Sequence, residues 1–386
     1  MAHPHWLSGG FRPFFFLGSL AMAASVLVWL PIYFGALDLT SAFAPRDWHV
    51  HTLLFGGVSA IIAGFALTAV ANWTGRPPIS GQELLALVLI WLAGRVAVSV
   101  SALIGAPLAA AIDLLFLVAL SCVFAREVIL AGNHRNLKVV AVVGLLALAN
   151  LGFHTEAHLT GSADYALRAG LSLVLFLILL IGGRILPAFT RNWLKARKIS
   201  PPPPEFGRGD AAVLAASGLS LVCWIALPDH KATAAVLVLA GLANMWRLSR
   251  WCGLATRSEP LLLILHAGYM VLALGFAAVG GAILWPDLID PLGAVHMWTA
   301  GAIGVMTLAV MTRASRGHSG NPLTADRLDL LVFALVLIGT LARILSPYAA
   351  GLDAHLLDAA GLAWAGAYIA FAAGYARRLL VAPAAK

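Results

Sequence analysis

The chain is 386 residues long; 61% of them are hydrophobic and 11% are charged, and the mean hydropathy is +0.91. A soluble domain carries about 25% charged residues, so this composition excludes a soluble globular protein and indicates an integral protein of a lipid bilayer. The formal net charge of +8 lies mainly in short loops. There it is expected to set the orientation in the membrane rather than to bind nucleic acid.

The three cysteines, Cys122, Cys223 and Cys252, are scattered through or beside apolar segments. They form no C-x-x-C or C-x-x-C-H pattern, so neither a thioredoxin-like dithiol nor a c-type haem is indicated. The N-terminus, MAHPHWLSGGFRPFFFLG, has no Lys/Arg-rich start and no small-residue cleavage site. We therefore expect it to be retained rather than removed as a signal peptide.

Apolar segments long enough to cross a bilayer, about 20 residues, recur twelve times along the chain. The predicted spans have the approximate limits 14–36, 50–72, 82–104, 107–131, 137–154, 165–187, 211–228, 232–249, 258–284, 293–312, 326–345 and 354–376. We therefore predict an all-α integral membrane protein with 12 transmembrane helices, forming a single transmembrane domain over residues 1–386.

Lysine and arginine are concentrated in the loops after the even-numbered spans, whereas the loops after odd-numbered spans carry mainly aspartate and glutamate. The positive-inside rule then predicts that both termini are cytoplasmic. The same rule predicts that seven histidines lie on the outer side: His49, His51, His154, His158, His230, His296 and His355. The one long connection, from Ala188 to Gly209, is basic and proline-rich, which predicts a stiff cytoplasmic linker that meets anionic lipid.

The cytoplasmic ends of the second, sixth and tenth spans resemble one another. They read Leu67-Thr-Ala-Val-Ala-Asn-Trp, Leu186-Pro-Ala-Phe-Thr-Arg-Asn-Trp and Leu308-Ala-Val-Met-Thr-Arg-Ala-Ser. These segments start 119 (186 − 67) and 122 (308 − 186) residues apart, and each period holds four spans. We therefore predict three pseudo-symmetric four-helix units, 11–131, 137–250 and 258–378.

Several motifs together resemble those of the NnrS family. They are Phe11-Arg-Pro-Phe-Phe, Trp48-His-x-His, Asn72-Trp-Thr-Gly-Arg, Gly182-Gly-Arg-Ile-Leu-Pro-Ala-Phe-Thr-Arg-Asn, Leu265-His-x-Gly-Tyr, and His296 followed by Thr299-Ala-Gly-Ala-Ile-Gly-Val-Met-Thr-Leu-Ala-Val-Met-Thr-Arg. The resemblance implies a membrane protein with haem b and copper, located in the bacterial inner membrane and tied to nitric oxide metabolism, nitrosative stress and denitrification. The family's His-x-His motif usually continues with glutamate, whereas Thr52 stands here.

The predicted architecture also resembles subunit I of the haem-copper oxidases. Those proteins have three four-helix units and histidines on spans two, six and ten, and they hold a haem and a copper between these helices. By this resemblance His51 is expected to ligate haem iron, with His296 at the start of span ten as its opposite number. His49 is two residues from His51 and points to nearly the opposite side of a helix, so it is expected to act beside the haem or on copper. The alternative for His49 and His51 is that they bind water or lipid headgroups. The alternative for His296 is that it caps a helix packed through small residues.

Further candidate residues lie elsewhere in the spans and loops. His266 is about 12 Å deep in span nine at 1.5 Å per residue, and Tyr269 shares its face; they are candidates to hold haem or relay protons. His154 and His158 are four residues apart, a spacing that suits copper or iron, although a wet surface loop gives the same pattern. Arg184 is a candidate partner for haem propionates, or a topology signal.

Three classes of function remain open at this stage. The first is a haem and copper protein that binds nitric oxide or reduces it to N2O, with electrons from a quinol or a redox protein. Reduction needs two adjacent metals and two protons, and the candidate donors within spans are few: Asp113, His266 and Tyr269. The second is a multi-span transporter, although transporters mostly show two related halves. The third is a haem- or metal-binding protein without turnover.

Overall fold

A computed structural model describes residues 3–382, and over this range the chain forms helices and connecting loops without a strand. Within it, twelve helices are long and apolar enough to cross a membrane. They are α1 (Phe11–Tyr33), α2 (Pro45–Thr74), α3 (Gly81–Ser99), α4 (Ala106–Leu130), α5 (His134–Thr160), α6 (Asp164–Ala196), α7 (Arg208–Ala226), α8 (Lys231–Ser249), α9 (Pro260–Leu284), α10 (Pro291–His318), α11 (Arg327–Tyr348) and α12 (Asp353–Leu380). The prediction of an all-α membrane protein with twelve spans is confirmed.

The predicted linker from Ala188 to Gly209 is wrong over its first part, because α6 continues to Ala196. The buried positions Leu186, Thr190 and Leu194 recur every four residues there. They form a stripe on one face of a helix, while the charged side chains between them point elsewhere. A count of consecutive apolar residues stops where this amphipathic section begins, so it ends the helix too early.

Three of the twelve helices contain a π-helical segment, in which the backbone winds more widely than in an α-helix. The segments are Thr52–Val58 in α2, Ile178–Gly182 in α6 and Met297–Ile303 in α10. These are the second, sixth and tenth helices, which carry the similar sequences noted above. The recurrence supports a four-helix period, although the limits of the three units stay a prediction.

A wider turn disturbs the regular backbone ladder and leaves carbonyl groups for other donors. In each π-helical segment, a side chain from another helix donates to one such carbonyl. The pairs are Trp91 Nε1 to Gly56 at 3.0 Å, Arg247 Nη1 to Leu179 at 3.3 Å and Trp364 Nε1 to Ala300 at 2.9 Å. These contacts satisfy polar backbone that lipid could not solvate.

The chain divides into two compact units. Over the described residues, unit 1 comprises 3–173, 314–321 and 368–382, and unit 2 comprises 174–313 and 322–367. Within unit 2, α8 and α9 approach closely: a Cβ placed on Gly280 would lie 2.7 Å from the carbonyl oxygen of Ala234. Small residues permit such contacts between helices in lipid, where dispersion replaces the hydrophobic effect.

Candidate metal centre

Three helices of unit 1 each place one metal-ligating side chain at the same buried point. His51 comes from α2, Asp113 from α4 and His154 from α5, with 0%, 1% and 7% of each side chain exposed. One carboxylate oxygen, Asp113 Oδ2, lies 3.2 Å from His51 Nε2 and 3.1 Å from His154 Nε2. The three candidate ligand atoms lie within 4.8 Å of one another. We call these three residues the His-Asp-His cluster.

The spacing of these atoms matches that of ligands on one metal ion. Nitrogen and oxygen ligands lie about 2.0–2.2 Å from a transition metal such as zinc, so two ligands separated by 90–109° lie roughly 3.0–3.4 Å apart. Both imidazole-to-carboxylate distances in the cluster fall in this range. Two imidazoles and a carboxylate are also a donor set that binds iron, copper or zinc. The cluster could therefore hold a metal ion.

The carboxylate at the centre of the cluster is held by two further side chains. Arg95, from α3, forms an ion pair with Asp113 Oδ1. Asn150 Nδ2 donates to Asp113 Oδ2 at 2.8 Å, and Asn150 Oδ1 lies 2.9 Å from His51 Nε2. A buried carboxylate is tolerated when it is paired and hydrogen-bonded in this way. Arg95 and Asn150 thus fix the rotamer of Asp113 and direct one oxygen toward both imidazoles.

Two glycines provide the space that the ion pair between Arg95 and Asp113 occupies. A Cβ on Gly94 would lie 2.9 Å from Asp113 Oδ1, and a Cβ on Gly56 would lie 2.4 Å from Arg95 Nη1. Gly56 belongs to the π-helical segment Thr52–Val58, which begins directly after His51. The wider winding and the absence of a side chain together let Arg95 reach the carboxylate.

Phenylalanine rings enclose the first histidine. The ring centroids of Phe43, Phe55 and Phe153 lie 5.0, 5.4 and 5.3 Å from that of His51. Nδ1 of His51 is buried and has no hydrogen-bond partner among residues 3–382. The orientation of the ring is therefore set by the contacts of Nε2 and by aromatic packing, in surroundings that exclude water.

A cavity of about 120 Å³ adjoins the cluster. Both His154 and His158 line it, together with Phe43, Ser101 and several alanines. Asn150, His154 and His158 follow one another at intervals of four residues along α5, so they share one face of that helix. The cavity has room for a small molecule, and it brings that molecule against the outer edge of the cluster.

The structure separates His49 from this cluster. Its ring stacks on Trp29, with centroids 4.4 Å apart and planes 21° apart. His51 instead contacts Asn150 and Asp113. This is the divergence expected of residues two apart on a helix. The hydroxyl of Thr52, the residue after His51, donates to the carbonyl of Trp48 at 2.8 Å.

In unit 2, His266 and Tyr269 have separate partners. His266 Nε2 lies 2.9 Å from the hydroxyl of Thr190. Tyr269 donates its hydroxyl proton to Asn244 Oδ1 at 2.7 Å and accepts a bond from Arg247 Nη1 at 3.1 Å. Both side chains are buried, at 6% and 0% exposure. Protein atoms therefore engage both groups, and their haem or proton-relay role stays a prediction.

His296 Nδ1 lies 2.7 Å from the carbonyl oxygen of Leu292, one turn earlier on α10. A ring nitrogen bonded to a backbone carbonyl carries the proton, which leaves Nε2 with its lone pair, as in many metal-ligating histidines. Arg184 is partly buried at the start of the last section of α6. His51 belongs to unit 1 and His296 to unit 2, so the predicted pairing of these two histidines on haem stays a prediction.

Sequence reasoning noted Asp113 only as a proton donor and left Arg95 and Asn150 without a role in the cluster. The available signal was an ionisable residue in an apolar span, which marks a functional candidate by default. A second signal was Asn150, four residues before His154 on the same face. Neither identifies the partner helix, because pairing between helices is not readable from one sequence.

The NnrS protein family model matches residues 5–382, nearly the whole chain. A comparison with curated proteins finds no match. The family match spans all twelve membrane-length helices and includes every residue of the His-Asp-His cluster. The chain therefore belongs to the NnrS family, and it is a multi-pass integral membrane protein related to nitric oxide, with a buried cluster that could hold a metal.

Proposed function

We propose that this chain binds nitric oxide at a copper ion held by His51, Asp113 and His154, in a bacterial inner membrane during nitrosative stress. The observation that carries the proposal is the meeting of three buried ligand atoms from three separate helices. The three residues are far apart in the sequence, so only the folded chain can bring their ligand atoms together. Family membership supplies the link to nitric oxide.

Copper is the favoured ion on chemical grounds. Sites built from nitrogen and oxygen donors bind Cu²⁺ more tightly than the other divalent first-row metals. The three cysteines lie outside the cluster, so no thiolate competes for the ion there. When bound, the ion supplies an open coordination position for a small ligand.

The surrounding residues prepare the site for such a ligand. Arg95 and Asn150 hold Asp113 in place, so a metal ion bound there would meet a rigid carboxylate. The phenylalanine rings around His51 keep water away. Nitric oxide is small and uncharged and dissolves in lipid, and the adjoining cavity of about 120 Å³ is large enough to admit it.

We assign haem b to a different place in the chain. The ligand atoms of the His-Asp-His cluster are within 4.8 Å of one another, and the adjoining cavity is far smaller than a porphyrin. His296 offers an imidazole whose Nδ1 is already bonded to Leu292, which suits axial ligation through Nε2. The proposal therefore assigns copper to the cluster and haem, through His296, to unit 2.

We extend the proposal to turnover: two molecules of NO, two electrons and two protons give N2O and water. A quinol or a redox protein supplies the electrons. The two imidazoles that line the cavity, buried His154 and exposed His158, are suited to deliver protons. Metal-dependent binding without turnover is the simpler alternative, and transport by a multi-span carrier is a third.

The test uses the full-length protein purified in detergent, with metal content and the visible spectrum recorded before and after anaerobic addition of NO. We expect about one copper per chain and a spectral change on NO addition. His51→Ala is expected to lose the copper, whereas the matched control His49→Ala keeps it, because His49 stacks on Trp29 outside the cluster.

Gas chromatography of the headspace, with a reductant present, then separates binding from reduction. Formation of N2O supports turnover, and its absence with an intact NO spectrum leaves binding. Full copper content in His51→Ala would rule out the proposed site, and a protein that binds neither metal nor haem would favour transport.

A further inference from the structure

A buried guanidinium lies in the first turn of α1, within unit 1. Arg12 is 8% exposed, and its Nη1 donates to the carbonyl oxygen of Arg378 at 2.7 Å. Its Nε is buried and has no hydrogen-bond partner among residues 3–382. No carboxylate within that range interacts electrostatically with it. Arg12 is therefore a buried cation without a counter-charge in the part of the chain that the structure describes.

The guanidinium of Arg12 lies 4.7 Å from the centroid of the Phe11 ring, and the titratable groups that interact with it are also basic. His5 and His318 are both close enough to interact electrostatically with it. The pKa of His5 is lowered by burial and then by the charge of Arg12. The ring of His318 packs against Phe11, with centroids 5.5 Å apart. We call Arg12, His5 and His318 the Arg12 pocket.

The backbone adds to this positive environment. Arg12 is the second residue of α1, and the aligned peptide dipoles of a helix give its N-terminus a partial positive charge. An arginine at this end is normally unfavourable, so helix geometry does not explain its burial. The carbonyl of Arg378, near the C-terminal end of α12, offsets only one of its five donors.

We propose that the Arg12 pocket binds a phosphate group, from an anionic lipid headgroup or from free phosphate. A buried cation is costly unless an opposite charge meets it. The edge formed by Nε and Nη2 of a guanidinium binds two phosphate oxygens at once. The two imidazoles supply further N–H donors. This pocket is separate from the His-Asp-His cluster and independent of the function proposed above.

The place of the pocket in the membrane supports a phosphate ligand. It combines the start of α1 with the last residue of α10 and the last turn of α12. These are ends of membrane-length helices, which are expected to lie near the lipid headgroups. The positive-inside pattern assigns them to the cytoplasmic side, whose leaflet carries anionic lipid.

The experiment measures the thermal unfolding midpoint of the full-length protein in nanodiscs. One arm compares phosphatidylcholine with phosphatidylcholine plus phosphatidylglycerol. The other adds inorganic phosphate to phosphatidylcholine nanodiscs, with chloride at equal ionic strength as the reference. A rise with phosphatidylglycerol alone identifies a lipid headgroup, and a rise with inorganic phosphate identifies a free anion. Either result supports the proposal that the Arg12 pocket binds a phosphate group.

Arg12→Gln is expected to abolish the rise, corresponding to affinity for the phosphate group weaker by about tenfold or more. The matched control is Arg377→Gln, which removes an exposed cation from the same turn of α12 as Arg378 and is expected to keep the full rise. If Arg12→Gln does not fold, Arg12→Lys and His318→Gln replace it, and both are expected to reduce the rise. No rise in the wild-type protein, or an equal rise in the Arg12 variants, would overturn the proposal.

Discussion

Each of the two units contains a buried ion pair between aspartate and arginine, but the second oxygen of the aspartate meets different partners. In unit 1, Asp113 pairs with Arg95 through Oδ1, and its Oδ2 faces His51 and His154. In unit 2, Asp210 Oδ1 pairs with Arg247 at 3.0 Å. Oδ2 of Asp210 instead meets a second arginine and a backbone N–H, those of Arg250 and Gly207.

This difference separates a structural ion pair from a candidate site. The donors around Asp210 are a backbone amide and guanidiniums that stay protonated at any ordinary pH, so they cannot give way to a metal ion. The imidazoles around Asp113 can lose their protons and bind a metal through the same nitrogens. Burial and charge pairing are common to both regions, and the histidines distinguish them.

The largest expected effect is the loss of metal from unit 1. Replacing His154 with Ala removes one of three ligands, and we expect copper affinity to fall by at least about 100-fold, more than for loss of a residue that only orients a ligand. The metal content of the purified variant measures this. His266→Ala removes a buried histidine of unit 2 that contacts Thr190, and it is expected to leave the copper content unchanged. If both variants lost copper equally, the loss could not be attributed to the His-Asp-His cluster of unit 1.

The next effect concerns stability rather than metal. Asp210→Asn leaves the fully buried Arg247 without its carboxylate, which is expected to cost about 3–5 kcal/mol of unfolding free energy. Denaturant unfolding in detergent measures the change, and the copper content serves as the control because it is expected to stay constant. If Asp210→Asn lost copper and kept its stability, our assignment of a structural ion pair to unit 2 and a metal site to unit 1 would be reversed.

A smaller effect is expected for the tyrosine that completes the network in unit 2. Tyr269→Phe removes a hydroxyl that bonds Asn244 and Arg247, and leaving these buried groups unsatisfied costs about 1–3 kcal/mol. Copper content and the response to NO are expected to match the wild type. If the NO response disappeared while the fold remained, Tyr269 would belong to the chemistry, as the sequence prediction of a proton relay has it.

The smallest expected effect tests the space around Asp113. Gly94→Ala places a methyl group 2.9 Å from Asp113 Oδ1, which is expected to shift the carboxylate and weaken copper binding by roughly tenfold, the low end of the range for loss of a residue that orients a ligand. Gly144→Ala is the matched control, because a Cβ there meets no atom within 4 Å. Equal copper affinity in both variants would contradict the close packing of Gly94 against Asp113.

The two regions also show what one sequence can and cannot reveal. Apolar length predicted all twelve spans, because a bilayer imposes that length on each helix. It missed the amphipathic end of α6 over Ala188–Ala196, where hydrophobic residues recur without forming a run. The histidines were visible as expensive groups in apolar surroundings.

The arrangement of these groups was not readable from the sequence. Asp113 lies 62 residues from His51 (113 − 51) and 41 from His154 (154 − 113), and no local pattern links residues so far apart. The same holds for Asp210 and Arg247. In the sequence they resemble Asp113 and Arg95, and only their neighbours in the structure distinguish the two pairs. The π-helical segments likewise depend on donors from other helices, such as Trp91.

The most direct measurement is X-ray absorption at the copper K-edge of the purified, copper-loaded protein, with Asp113→Asn alongside. The account predicts nitrogen and oxygen donors near 2.0 Å, the outer-shell signature of two imidazoles, and loss of this signal in the Asp113 variant. Sulfur ligands in the first coordination shell, or an unchanged spectrum in Asp113→Asn, would contradict it.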